Sequence, residues 1–157
     1  MYALQREHEG KRFFEQNAGR FSHAAVVEAF QRLAREEEQH ICFIQSLLAS
    51  LDAADPSDVE DEQALEAGDL FSRRAADALL DQTIIEWMVP DLSVLHTAYL
   101  IERDSAESYG MAAQRAEDEM AREALDMLAE RERGHERLIK QMYGRAFEEY
   151  AGKPWGG

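Results

Sequence analysis

The sequence predicts an all-α chain, an antiparallel four-helix bundle built from two helix hairpins with a long crossover between them. Three observations carry this. The 157 residues are rich in Ala, Glu, Leu and Arg and include only three prolines and nine glycines, which favours helix throughout. Four long stretches each show an apolar seam at helical spacing. The same residue pattern also occurs twice, 95 positions apart: Glu7 with Glu102, Glu37 with Glu132, His40 with His135, and the rings Phe14 with Tyr109.

The first helix is expected over residues 2–18, closed by Gly19 just past its end. Its inward seam is Ala3, Glu7, Gly10, Phe14 and Ala18. Ser22 is placed to cap a second helix running to residue 51, with the seam Val26, Phe30, Leu33, Glu37, His40, Ile44 and Leu47. Residues 52–69 are acidic, contain Pro56 and Gly68, and read as a loop. An extra helix or two short ones is expected within 70–89, completing a crossover over 52–91. Pro90-Asp91 is expected to break the chain and restart it, with Asp91 or Ser93 near the new N-terminus.

The third long helix follows from residue 92 to 116 with the seam Leu95, Ala98, Glu102, Ser105, Tyr109 and Ala112. Asp118 is placed to cap the fourth, which runs to residue 150 with Ala121, Leu125, Leu128, Glu132, His135, Ile139 and Met142 inward. The bundle thus occupies residues 1–151 as one domain, and 152–157 form an extended tail. A bundle of such helices is ~37 Å long at 1.5 Å per residue. The crossover can span that, so the second hairpin packs on the first about a twofold axis.

The formal net charge of −15 makes nucleic acid and anionic membranes unsuitable partners. Cys42 is the single cysteine, which rules out an intrachain disulfide and fits a reducing compartment. No run approaches the ~18 apolar residues of a membrane span, and residues 1–10 lack a secretion signal, so a cytoplasmic protein is expected.

The seams are interrupted where chemistry would need them to be. Glu37 and His40, and again Glu132 and His135, stand three apart, so each pair shares one helix face. Glu7 and Glu102 each precede their motif glutamate by 30 residues. All six occupy positions the pattern reserves for apolar side chains, where an uncompensated carboxylate costs several kcal/mol. Four carboxylates at one depth repel one another, and their pKa values rise. Two divalent cations bring +4 against −4, with both histidines neutral, and the charge balances. Mixed carboxylate and imidazole ligands suit iron, manganese or, less well, zinc.

This constellation resembles the rubrerythrin branch of the ferritin-like superfamily, whose di-iron proteins place one Glu on each of two helices and Glu-x-x-His on the other two. The similar stretches are ALQREHEGKRFF at 3–14, AYLIERDS at 98–105, and the Glu-x-x-His segments at 33–40 and 128–135. The resemblance implies a ferritin-like bundle with Glu7, Glu37, His40, Glu102, Glu132 and His135 as ligands of two iron ions. Glu37 and Glu102, or their partners, would include the bridging carboxylates.

It further implies an oxidoreductase reducing peroxide or reacting with oxygen, and a homodimer. Its reductant is expected to be an external electron-donor protein or small molecule, because the chain lacks the Cys-x-x-Cys pairs of the family's rubredoxin-like module. Two departures from related patterns stand out. Ser105 occupies the place of an extra glutamate found one turn after the third-helix ligand in rubrerythrins. Glu38 stands where bacterioferritins carry their haem methionine, so no haem is expected. The alternatives are ferroxidase chemistry with iron sequestration, dimanganese catalase chemistry, and a non-catalytic metal-binding bundle.

Around the six, Tyr109 is expected either as a hydrogen-bond donor to the site or electron relay, or as a buried core tyrosine. Glu36, Glu38, Arg131 and Arg133 are expected to be solvated, His8, His23 and His96 to lie on the surface, and Cys42 to pack as a small apolar residue.

Overall fold

The computed structural model describes residues 2–21, 24–52 and 89–152. It contains four helices in chain order, α1 (Tyr2–Ala18), α2 (Ala24–Asp52), α3 (Val89–Ala113) and α4 (Glu119–Gly152). The expected cap at Ser22, the acidic loop and the helix expected within 70–89 lie outside the described residues, as does the tail beyond Gly152. The helix restart expected just after Pro90-Asp91 comes a few residues earlier. Helix α3 begins at Val89 and takes Pro90 into its first turn, where a missing N–H leaves no bond unmade. Asp118 does cap α4: its Oδ1 accepts the Ala121 N–H at 2.8 Å, satisfying one of the donors a helix start leaves open.

Helix direction follows from who packs with whom. One apolar cluster gathers Phe14 and Ala18 from the end of α1, Val26, Phe30 and Leu33 from early α2, Leu95 and Ala98 from early α3, and Ile139 and Met142 from late α4. The second gathers Phe43, Ile44 and Leu47 from late α2, Tyr109 from α3, and Ala124 and Leu128 from early α4, with Ala3 and Leu4 of α1 against them. Helices α1 and α4 therefore run one way and α2 and α3 the other. The chain leaves α2 at one end of the bundle and enters α3 at the opposite end, the topology expected of two hairpins joined by a long crossover.

The seams of α2 and α3 are buried almost as written, Ala112 giving way to Ala113 at the end of α3. In the first turns of α4, Ala124 faces inward, while Ala121 and Leu125 are half-buried. Cys42 is exposed, against the expectation of a packed apolar residue, because it lies a half-turn away from the Ile41 and Ile44 side of the helix. Aromatic packing closes the larger cluster, with Phe14 and Phe30 edge-to-face at 5.3 Å and 81°. No described helix is long and apolar enough to cross a membrane.

The Asp118 cap carries a measurable share of α4. Asp118→Ala should lower the unfolding free energy by about 1 kcal/mol in urea denaturation; an unchanged midpoint and slope would mean the hydrogen bond adds nothing in solution.

Candidate metal centre

Between the two apolar clusters lies a layer of ionisable side chains. Glu7, Glu37, His40, Glu102, Glu132 and His135 are each 3% exposed or less. All four helices contribute, because each seam places its polar member at the same depth. The ligand-type atoms fall into two groups: Glu7, Glu37, His40 and Glu132, and Glu37, Glu102, Glu132 and His135, each with its atoms within 4.8 Å of one another. Glu37 and Glu132 belong to both. Of the carboxylates that sequence leaves open as bridges, Glu37 is therefore placed between the groups, while Glu102 stands in one only and Glu132 takes the second shared place.

The imidazoles turn Nδ1 toward this layer. His40 Nδ1 lies 3.0 Å from Glu7 Oε2, 2.9 Å from Glu132 Oε1 and 3.7 Å from Glu37 Oε2. His135 Nδ1 lies 3.3 Å from both Glu37 Oε1 and Glu102 Oε2. The rings stack at 5.5 Å and 13°. Glu37 Oε1, both oxygens of Glu102 and His135 Nδ1 are buried without a well-directed hydrogen-bond partner. Such groups are expensive to bury. They converge on a common centre without pairing off, as cation ligands do.

The surroundings hold residues that sequence reading placed wrongly or left open. Glu36 is buried, contrary to the expected solvated side chain. Its Oε2 accepts from His135 Nε2 at 2.8 Å, and its Oε1 is held by Arg32 Nε at 2.7 Å. Burial pushes this carboxyl up, but His135 and then Arg32 more than offset it and hold it at about 2. The Arg32–Glu36 spacing looks like an ordinary surface pair, and only the approach of α4 turns it inward. Glu38 and Arg133 are exposed as expected, and Arg131 is half-buried. Of the histidines expected on the surface, His8 and His96 are exposed, and His23 lies outside the described residues.

Tyr109 resolves toward the site: its hydroxyl donates to Glu7 Oε1. Ser105 is buried and receives Arg6 Nη2 at 3.3 Å, so a guanidinium from α1 approaches the place of the family's extra glutamate. Gly10 makes room for the shared carboxylate. A Cβ there would stand 3.4 Å from Glu37 Oε2, already in contact with it.

A rubrerythrin family model matches residues 1–143, most of the chain and all of the ionisable layer. The chain belongs to the rubrerythrin family. Neither the curated proteins nor the solved structures provide a match. For a rubrerythrin-family chain, the all-α ferritin-like bundle is the fold the sequence predicts, and its buried glutamates and histidines fit a metal site of the dimetal carboxylate kind.

With no cation among them, the six groups balance one another with protons. Burial raises Glu7 and Glu102 well above the usual carboxylate range, helped by the charges of Glu37 and Glu132 on Glu7 and of Glu132 on Glu102. Burial also pushes Glu132 up, and burial with the Glu132 charge pushes Glu37 up. Hydrogen bonds from Glu102 and both histidines to Glu132, and from both histidines to Glu37, outweigh this and hold these two low. Burial favours neutral imidazoles, yet hydrogen bonds to the carboxylates raise His40 and His135 well above the ordinary value. Two carboxylates and two imidazoliums sum to zero. Two divalent cations would then replace four protons, one each from Glu7, Glu102, His40 and His135.

Opposite pH dependences follow for the two forms. In the apo protein the raised histidines stabilise fully below the unfolded value of about 6.5, and that stability is lost as pH rises toward their folded values. Its melting temperature should therefore fall from pH 6.5 upward. The rise in melting temperature on adding a divalent cation should grow over the same range, because protons compete less. Scanning calorimetry from pH 6 to 9 with and without cation reads both, and parallel curves would contradict the proton-for-cation exchange.

Proposed function

We propose that this rubrerythrin-family chain is a di-iron carboxylate oxidoreductase that reduces peroxide with electrons from an external donor. One observation carries the reading: two buried groups share Glu37 and Glu132, and each is completed by one further glutamate and one histidine. That is a ligand set for two cations side by side. Glu37 and Glu132 would be shared by both cations, with Glu7 and His40 holding one and Glu102 and His135 the other. Family membership favours iron, which suits carboxylate with imidazole. When bound, a ferrous pair would supply the two electrons for the reduction of a small oxygen species.

Reducing one peroxide to two waters takes up two electrons and two protons, so proton supply inside the core matters as much as the donor. Tyr109 holds a proton at Glu7 Oε1. Burial, then the charge and hydrogen bond of Glu7, push its hydroxyl far above the ordinary phenol value, so it remains a donor at any physiological pH. Glu36 keeps a proton on His135 Nε2 and leaves Nδ1 to face the shared carboxylates. The apolar clusters on either side keep bulk water from the layer.

The test is an anaerobic ferrous titration of the apo protein, followed by peroxide with a reductant, and separately by oxygen. Saturation at two irons per chain, the number of ligand groups, and repeated peroxide consumption are expected. Uptake well beyond that, with ferric iron accumulating and faster reaction with oxygen, would replace the proposal by iron oxidation and sequestration. Folded protein that takes up no redox metal would remove the di-iron reading.

Tyr109→Phe should keep the fold and the iron stoichiometry while slowing peroxide turnover about 100-fold, the usual scale for losing a preorganised hydrogen-bond donor. Unchanged turnover would leave Tyr109 a packing residue.

A further inference from the structure

The 95-residue offset relates the ligands pairwise, and applied to their neighbours it stops working. Glu36 maps onto Arg131, and Phe14 onto Tyr109. The ligand layer is thus duplicated faithfully, while the residues behind it are not.

Both differences bear on metal affinity. Behind His135, Glu36 Oε2 accepts the Nε2 proton at 2.8 Å and is itself fixed by Arg32. A carboxylate in that place locks the tautomer that offers Nδ1 to a cation and makes that nitrogen a stronger base. The corresponding position behind His40 carries Arg131, a side chain with donors only, which cannot accept an imidazole N–H. On the glutamate side, Tyr109 donates to Glu7 Oε1 and draws negative charge away from that ligand. Phe14, at the corresponding position toward Glu102, has no donor to give. Glu102 instead meets members of the ligand layer itself, His135 Nδ1 at 3.3 Å and Glu132, and among the described hydrogen bonds no hydroxyl from outside the layer draws on its charge. The stronger imidazole and the stronger carboxylate fall in the same half.

We infer that the two cation positions are built unequal: Glu36 makes the Glu102–His135 position the tighter one, and Tyr109 makes the Glu7–His40 position the weaker, so the centre fills in order. This rests on the two-cation reading above, and the experiment separates the two.

The full apo chain is titrated anaerobically with Co(II) alone, followed by its visible absorption and by calorimetry, with circular dichroism as the check on folding. Two resolved steps are expected in the wild type. Glu36→Gln keeps the volume and an acceptor oxygen but removes the charge. It should weaken the first step by about 10- to 100-fold and leave the second nearly unchanged. Tyr109→Phe should tighten the second step and narrow the gap. His135→Ala should abolish the tight step, and His40→Ala should retain it. The inference is overturned if wild-type protein binds both ions in one unresolved step, if Glu36→Gln leaves both constants unchanged, or if the tight step follows His40. Should a histidine variant fail to fold, Glu36→Gln and Tyr109→Phe decide the matter by themselves. Folded wild type that binds no cobalt would instead defeat the two-cation reading itself.

Discussion

Everything in this bundle is arranged around charge that has been taken out of water. Four carboxylates and two imidazoles at one depth cannot be neutralised by packing, and moving ions into a low-dielectric interior costs several kcal/mol each even after relaxation. The layer therefore has two electrically acceptable conditions, one balanced by protons and one balanced by cations. Either keeps the core near zero charge; the ordinary solution ionisation of the same groups would not. Helix placement, the small residue Gly10 beside Glu37, and the apolar clusters above and below follow from holding those six side chains within reach of one another.

The contacts of the layer and its surroundings also run between hairpins. His40 of the first meets Glu132 of the second, His135 meets Glu36 and Glu37, Tyr109 meets Glu7, and Arg6 meets Ser105. The site is consequently also the polar part of the seam joining the two halves. The apolar clusters supply the non-directional stability on both sides, while the layer fixes the register of one hairpin against the other. A slide of one helical turn would leave each carboxylate facing hydrocarbon.

Most of this was legible in the sequence because periodicity and repetition are one-dimensional signals. Glu37 and His40 stand out by interrupting the run from Val26 to Leu47, and their copies at 132 and 135 confirm that the interruption is patterned. What escaped was three-dimensional. Glu36 sits off the seam of its own helix and is buried only because α4 comes alongside, and Cys42 lies outside because the helix turns its far side to solvent. The restart at Pro90 was misplaced for a local reason: a proline that breaks a helix interior is well tolerated in a first turn. Which carboxylates lie between the two groups could not be read from spacing, since all four glutamates recur with the same offset.

Two identical hairpins meeting on a twofold axis would already assemble this layer, since each supplies half of it. Such a pair could vary only in lockstep. A tyrosine at one Glu would appear at both, and a carboxylate behind one histidine would bring its twin. Joining the hairpins in a single chain breaks that bond between copies. Phe14 and Tyr109, Glu36 and Arg131 are differences of the kind that only a single chain permits. The long crossover is thus the feature that lets a symmetric scaffold carry two dissimilar chemical environments.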